Sequence, residues 1–345
     1  MTVFTTPRSL ADPSLGDEFL RLVGDGDEYA AVDVVLALLE AGVPAQRILV
    51  DLIARTQEQV GRLWAADEWS IAREHAATAV SDRAISALAA HTVVRPTRGR
   101  VTIACVDGEW HALPVRILAE MLRLDGWRTD FLGANVPGPH LVTHLRQTAP
   151  DAVALSCMLA TRLPRAHVAV TAGRTAGTPV IAGGRGFGPG GRYARQLGAD
   201  AWAANAEEAV AYLAANWPPP VRDPQTSAVA GDGEYTYVAG QRPALIGTTM
   251  GRLAGDYPPA RDYDERQVDA TADDMGHIVD FLAASLYVGE TPVFTDFVDW
   301  THGVLAARGV PPAALRAGLQ LVRDQLRDCP GAAAVLDAGL ARVTG

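Results

Sequence analysis

Between residues 17 and 91 the apolar positions recur at helical spacing. Val32, Val35, Leu36 and Leu39 form one stripe, which Gly42 ends as a C-cap before Pro44. Ile48, Leu49, Leu52, Ile53, Val60 and Leu63 predict a second helix, and a third starts near Ser70, a capping residue with Glu74 close behind, and runs through Ala87. Helices joined by small connections predict a helical bundle. After Pro96 the period changes. Residues 101–106 read as a buried strand, 115–124 as an amphipathic helix, 128–132 as a strand and 138–147 as a helix. Three more strands are expected over 152–157, 179–183 and 201–204, with helices between and after them. Five such units predict a flavodoxin-like, doubly wound parallel five-stranded sheet, a Rossmann-like α/β domain with ligand chemistry at the strands' C-terminal ends. Asn216-Trp217-Pro218-Pro219-Pro220 breaks the last helix, and about forty residues rich in Gly, Pro, Asp and Thr read as a linker. Helical spacing then returns in Ile278, Phe281, Leu282 and Leu286, in Phe294, Phe297 and Val298, and in Leu315, Leu319 and Val322. The plan is a bundle over 14–95, an α/β domain over 96–217, a linker over 218–265 and a helical domain over 266–345.

Composition removes several chemistries. All 30 basic residues are Arg, which excludes a Schiff-base lysine, a phosphate-loop lysine and a kinase strand lysine. The net charge of −10 argues against direct nucleic-acid binding, which needs a basic face to displace counterions. Cys105, Cys157 and Cys329 are too scattered for a disulfide framework or a zinc cluster. The N-terminus lacks a signal-peptide pattern, and no apolar run reaches the roughly 20 residues that span a bilayer, so a soluble cytoplasmic protein is expected. No output-enzyme signature appears; the chain is expected not to be an enzyme.

The loop after the first strand of the sheet reads Val106-Asp107-Gly108-Glu109-Trp110-His111-Ala112-Leu113-Pro114. It lacks the Gly-x-Gly-x-x-Gly fingerprint of dinucleotide binding. It presents instead an imidazole with a carboxylate two residues earlier. A carboxylate hydrogen-bonded to one ring nitrogen fixes the tautomer and raises the basicity of the other. These residues resemble the corrinoid-binding signature Asp-x-His-x-x-Gly followed by Ser-x-Leu and Gly-Gly. Glu109-Trp110-His111 matches the first part with Glu for Asp, Ser156 the second, and Gly183-Gly184 the third. Pro114 stands where Gly is usual, and Ser156-Cys157-Met158-Leu159 puts Leu one place late. Leu132-Gly133-Ala134-Asn135-Val136-Pro137 also looks like the second strand and loop of that fold. The resemblance implies cobalamin binding with His111 as the lower cobalt ligand and the nucleotide tail extended into the α/β domain.

Trp64, nine intervening residues, then Glu74-His75 resembles the Trp-x9-Glu-His signature of cobalamin-dependent light sensors. That resemblance implies that the bundle caps the upper corrin face and holds the 5′-deoxyadenosyl group of adenosylcobalamin. An indole suits stacking, while Glu and His offer polar contacts to ribose and adenine. The plainer alternative makes Trp64 core, Glu74 a capping-box residue and His75 exposed. The repressors of that group begin with a winged helix-turn-helix, whereas only a short tail precedes this bundle, so DNA binding is not expected. Ala65 stands where those repressors carry the histidine that binds cobalt after light removes adenosyl. His75, another histidine or water would then take that site.

The C-terminal helices, with Asp273-Asp274-Met275-Gly276-His277 and Phe297-Val298-Asp299-Trp300-Thr301-His302, resemble a globin-type sensory domain. Cobalamin sensor followed by globin-like domain is similar to the arrangement of the photocobilins, which carry adenosylcobalamin and biliverdin together. His277, Tyr287, Trp300 and His302 are the pocket candidates, with Arg316 placed to pair a propionate. Cys329 could form a thioether, but Pro330 follows it, and non-covalent binding is expected. Haem on His277 or His302 is a rival. The resulting expectation is a photoreceptor whose light-dependent self-association carries the signal. A corrinoid methyl carrier serving a methyltransferase is the alternative, disfavoured because a methyl group needs no adenosyl pocket.

Overall fold

The computed structural model describes residues 10, 13–217, 219–220 and 233–343. They divide into two units: Met1–Ser156, Ala169–Gly184 and Ala199–Arg222 in unit 1, and Cys157–Val168, Arg185–Gly198 and Asp223–Gly345 in unit 2. Unit 1 opens with helices α1 (Pro13–Gly24), α2 (Glu28–Glu40) and α3 (Ala45–Arg47). A π-helical stretch, Ile48–Ala54, continues α3 into α4 (Arg55–Ala65), and α5 spans Ile71–His91. Ser70 caps α5, its hydroxyl accepting the Arg73 N–H at 3.2 Å, as the sequence predicts. The face of α2 differs from the predicted stripe: Ala31, Val35 and Leu38 are buried, while Val32, Leu36 and Leu39 are half-buried. Alanine counts little in hydrophobic spacing, yet Ala31 is fully buried in the bundle core.

Strands β1 (Arg100–Val106), β2 (Arg128–Val136), β3 (Ala152–Ser156), β4 (Val180–Gly183) and β5 (Ala201–Ala203) pair in the order β2-β1-β3-β4-β5, all parallel. This is the expected doubly wound sheet. β1 is buried on both faces from Val101 to Val106, which is why its sequence is a continuous apolar run with one Thr. The direction of winding reverses between β1 and β3, placing the switch-point crevice at their carboxyl ends. Helices α6 (Ala112–Leu124), α7 (Gly138–Thr148), α8 (Leu163–Thr175), α9 (Arg192–Gln196) and α10 (Ala206–Ala215) follow the strands in turn. α6 is apolar on two sides: Val115, Ala119 and Leu122 join the core under the sheet, and Leu113, Ile117 and Met121 join that of the bundle. One helix thereby fixes the bundle against the α/β core.

In unit 2, α11 (Gly233–Gly240), α12 (Arg242–Asp256), α13 (Glu265–Val288), α14 (Pro292–Ala307), α15 (Pro312–Gln325) and α16 (Pro330–Leu340) surround a core of Ile278, Leu282, Phe294, Leu319 and Val322. The stretch 218–265, read as a linker, contains α11 and α12, with Val238, Leu245 and Leu253 buried; residues 218 and 221–232 of it lie outside the described residues. Its prolines mislead because Pro243 stands in the first turn of α12, where a missing N–H costs nothing. Among the described residues no helix is long and apolar enough to cross a membrane.

Candidate functional site

At the carboxyl edge of the sheet, Cys105, Ser156, Gly183 and Ala203 stand side by side in register across β1, β3, β4 and β5. The loop leaving β1 is pinned before it reaches His111. Glu109 N–H donates to the Val106 carbonyl at 3.0 Å, Asn135 N–H to the Glu109 carbonyl at 2.9 Å, and Gly108 N–H to Asn135 Oδ1 at 2.7 Å. Asn135 holds φ +53, a left-handed conformation that Asn tolerates better than most side chains. It reaches this place because two register irregularities separate β2 from β1, between Ile103 and Ala104 and between Ala104 and Val106. In the sequence Asn135 stands out only as part of the second strand and loop. Its positioning role follows from its position in space.

The Glu109 side chain is fully buried, and its Oε1 accepts two hydrogen bonds from one residue: His111 N–H at 3.0 Å and ring Nδ1 at 2.5 Å. The pairing expected from the two-residue spacing is therefore present. With Nδ1–H donating to a carboxylate, Nε2 is the ring nitrogen that carries the lone pair, and 55% of the imidazole side chain is exposed. Burial, reinforced by the Glu109 charge, pushes the Cys105 thiol up to about 12, so it stays protonated at neutral pH and does not compete as a thiolate ligand. Trp110, which precedes His111 in this loop, is 69% exposed. Ser156 is buried at the end of β3, and Gly184 holds φ +101, which favours glycine. A side chain at Gly186 would come within 2.9 Å of the Cys157 carbonyl oxygen and sulfur, so the turns after β3 and β4 meet backbone to backbone. The donor set, a carboxylate-oriented imidazole above a glycine-lined edge, fits a corrinoid with a histidine below cobalt.

The upper-face candidates lie in the same unit at one end of the bundle. Trp64 is half-buried in the last turn of α4, Glu74 ends the first turn of α5 and His75 follows it. His75 is 72% exposed and its Nδ1 meets Glu74 Oε2. The Thr78 hydroxyl lies 3.2 Å from Glu74 Oε1 and 2.9 Å from Gln57 Oε1, donating to one at a time, while Gln57 Nε2 donates to Ser81 Oγ at 2.7 Å. Glu74 thus belongs to a polar seam joining α4 and α5.

The five unit 2 candidates are dispersed over α13, α14 and α15. Tyr287, half-buried near the end of α13, bonds His167 Nδ1 at 2.6 Å and packs edge-on against Tyr235 with ring centroids 4.8 Å apart. His277, about 15 Å further back along the same helix, is exposed, as is Trp300; His302 is half-buried. Arg316 is exposed and donates to the Val343 carbonyl. Cys329 is the residue before Pro330, which starts α16; burial first, then Glu234 and Asp328, pushes its thiol pKa up.

Residues 99–214 and residues 15–89 each match a family model described as a B12 binding domain. The chain therefore carries cobalamin-binding domains over its bundle and its α/β sheet. Among curated proteins it is 33% identical over 144 residues to the HTH-type transcriptional repressor CarA of Myxococcus xanthus, covering 41% of this chain and 49% of that one. It is 24% identical over 145 residues to the trimethylamine corrinoid protein of Methanosarcina barkeri, covering 41% and 67%. The chain thus spans about half the length of the repressor. The solved structure of the Methanosarcina barkeri monomethylamine corrinoid protein covers 58% of this chain and 97% of its own, with 20% identity and a TM-score of 0.51, a likeness of fold.

Proposed function

We propose that this chain is a photoreceptor that binds adenosylcobalamin, with His111 below cobalt and Trp64, Glu74 and His75 above. The observation that carries the reading is the Glu109–His111 pair at the switch point, in one unit with a bundle presenting Trp64 and Glu74 from neighbouring helix ends. The bound cofactor supplies a light-labile cobalt–carbon bond. Glu109 holds the imidazole in the ligating tautomer; Trp64 gives the adenosyl group an apolar wall, and Glu74 and His75 give it polar anchors. Emptying that wall alters the α4–α5 seam through Glu74 and Thr78, biasing an interface between copies of the chain. Biliverdin, held non-covalently in the globin-like helices of unit 2, extends absorption to longer wavelengths. The reading gives the chain no catalytic step, no DNA contact and a cytoplasmic place of action.

The similarity to a trimethylamine corrinoid protein supports the second reading, a methyl carrier for a methyltransferase. One experiment separates them. Protein incubated with adenosylcobalamin and biliverdin is gel-filtered and its spectrum taken in darkness and after green light, with His111→Ala beside it. The photoreceptor reading expects retained alkylcobalamin bands that convert to cob(III)alamin bands on illumination, a retained red bilin band, and loss of the His-on spectrum in the variant. Retention of methylcobalamin but not of adenosylcobalamin would favour the carrier.

A further inference from the structure

The second chromophore needs an anchor for its carboxylates; the arginine expected from the sequence, Arg316, is exposed and donates a guanidinium N–H to the Val343 carbonyl. Another arginine of unit 2 is in the opposite condition. Arg162 ends the short turn Ala160–Arg162 that leads into α8, and this turn packs against α13. Its Nε is buried and has no hydrogen-bond partner among the described residues. A guanidinium N–H left unpaired away from water is destabilising, so it calls for an acceptor.

The surroundings say what kind. Five residues further on, His167 bonds Tyr287 of the same helix α13, and Tyr287 packs edge-on against Tyr235. Burial raises the pKa of both phenols; the nearby Arg165 charge opposes the rise at Tyr235, marking this side of the cluster as cationic. Rings set edge-on beside arginine suit a flat conjugated molecule carrying flexible carboxylates, each of which a guanidinium binds in a planar fork.

We propose that Arg162 is the carboxylate anchor of unit 2, its buried unpartnered Nε receiving a propionate of a tetrapyrrole that lies against the Tyr235–Tyr287–His167 cluster. The inference rests on the reading of unit 2 as a tetrapyrrole domain and adds to it the residue that reads the acid group.

The test titrates full-length wild type, Arg162→Gln and Arg162→Lys with biliverdin and with biliverdin dimethyl ester, whose propionates are masked; haem and its dimethyl ester run in parallel. Far-UV circular dichroism and cobalamin retention report that each variant is folded. Expected is binding of the free acid about tenfold tighter than of the ester by wild type, and loss of that difference in Arg162→Gln through weaker acid binding alone. Arg162→Lys, which keeps charge without the fork, falls between. Equal binding of acid and ester by wild type, or an undiminished preference in Arg162→Gln, overturns the anchor while leaving the bilin reading intact. An Arg162-dependent preference seen with haem but not with biliverdin keeps the anchor and overturns the bilin. Retention of neither tetrapyrrole overturns both.

Discussion

A single carboxylate oxygen governs the orientation of His111. Glu109 Oε1 accepts both the backbone N–H and the ring nitrogen of that residue, so loop and imidazole are fixed together. Hydrogen bonds to a charged group contribute about 1.5–3 kcal/mol each, enough to favour one tautomer strongly. Glu109→Gln keeps an acceptor of the same shape and removes the charge. It is expected to weaken cobalamin binding by about 10–100-fold, the usual cost of losing a carboxylate behind a metal-bound histidine, with the thermal transition little changed. A spectroscopic titration beside a thermal melt checks this, and unchanged affinity would mean that Glu109 only shapes the loop. The pair could be read from the sequence because two residues of spacing place both groups on one turn. Asn135 could not, because it meets Gly108 only through the irregular pairing of β2 with β1. Nor could Arg162: an unpaired buried nitrogen is a property of packing, invisible in residue order.

Elements were legible in proportion to the regularity of their burial. β1, β3 and β4 appeared as apolar runs because strands covered on both faces ask for nothing else, whereas the edge strand β2 carries Arg128, Asp130 and Asn135 and is nowhere fully buried. α6 was read as amphipathic, yet it is apolar on two sides, and the second side, Leu113, Ile117 and Met121, is what joins the bundle to the α/β core. The prolines and glycines that suggested a linker conceal α12, and Pro292, Pro312 and Pro330 open α14, α15 and α16 in the same way. In unit 2, helical spacing identified the core residues but could not say that His277 and Trp300 face outward while Tyr287 turns inward. The role of α6 is testable. Ile117→Ala removes a buried side chain at the bundle side of that helix and is expected to destabilise by about 2–5 kcal/mol, the range for buried Ile or Leu to Ala. Chemical denaturation should show a lowered midpoint, and cobalamin retention should fall with it because both walls of the site hang on α6. A loss under about 0.5 kcal/mol, the scale of a surface change, would mean that the bundle is held elsewhere.

At the scale of the whole molecule, the proposed function requires that a change in the cobalamin-binding domains be read out, and self-association is the readout it names. The requirement has a size. Moving a population of states from 1:99 to 99:1 takes about 10⁴-fold difference in affinity, near 5.5 kcal/mol. Under the proposed function, contacts to an adenosyl group would supply that, an indole wall at Trp64 and polar anchors at Glu74 and His75 being made in the loaded form and vacated in the other. The net charge of −10 opposes association of copies, so an interface that forms in one state must overcome that repulsion, more so at low salt. Protein loaded with adenosylcobalamin in darkness and the same sample after green light should therefore differ in mass by multi-angle light scattering across a dilution series. The difference should grow between about 50 and 200 mM salt if association is the illuminated or the dark state alike, because screening relieves the same repulsion in both. Trp64→Ala, which lacks the wall, should show a smaller difference while still binding cobalamin through His111. Identical masses in dark and light at every concentration and salt would sink self-association as the output and transfer that role to a second protein recognising the bundle.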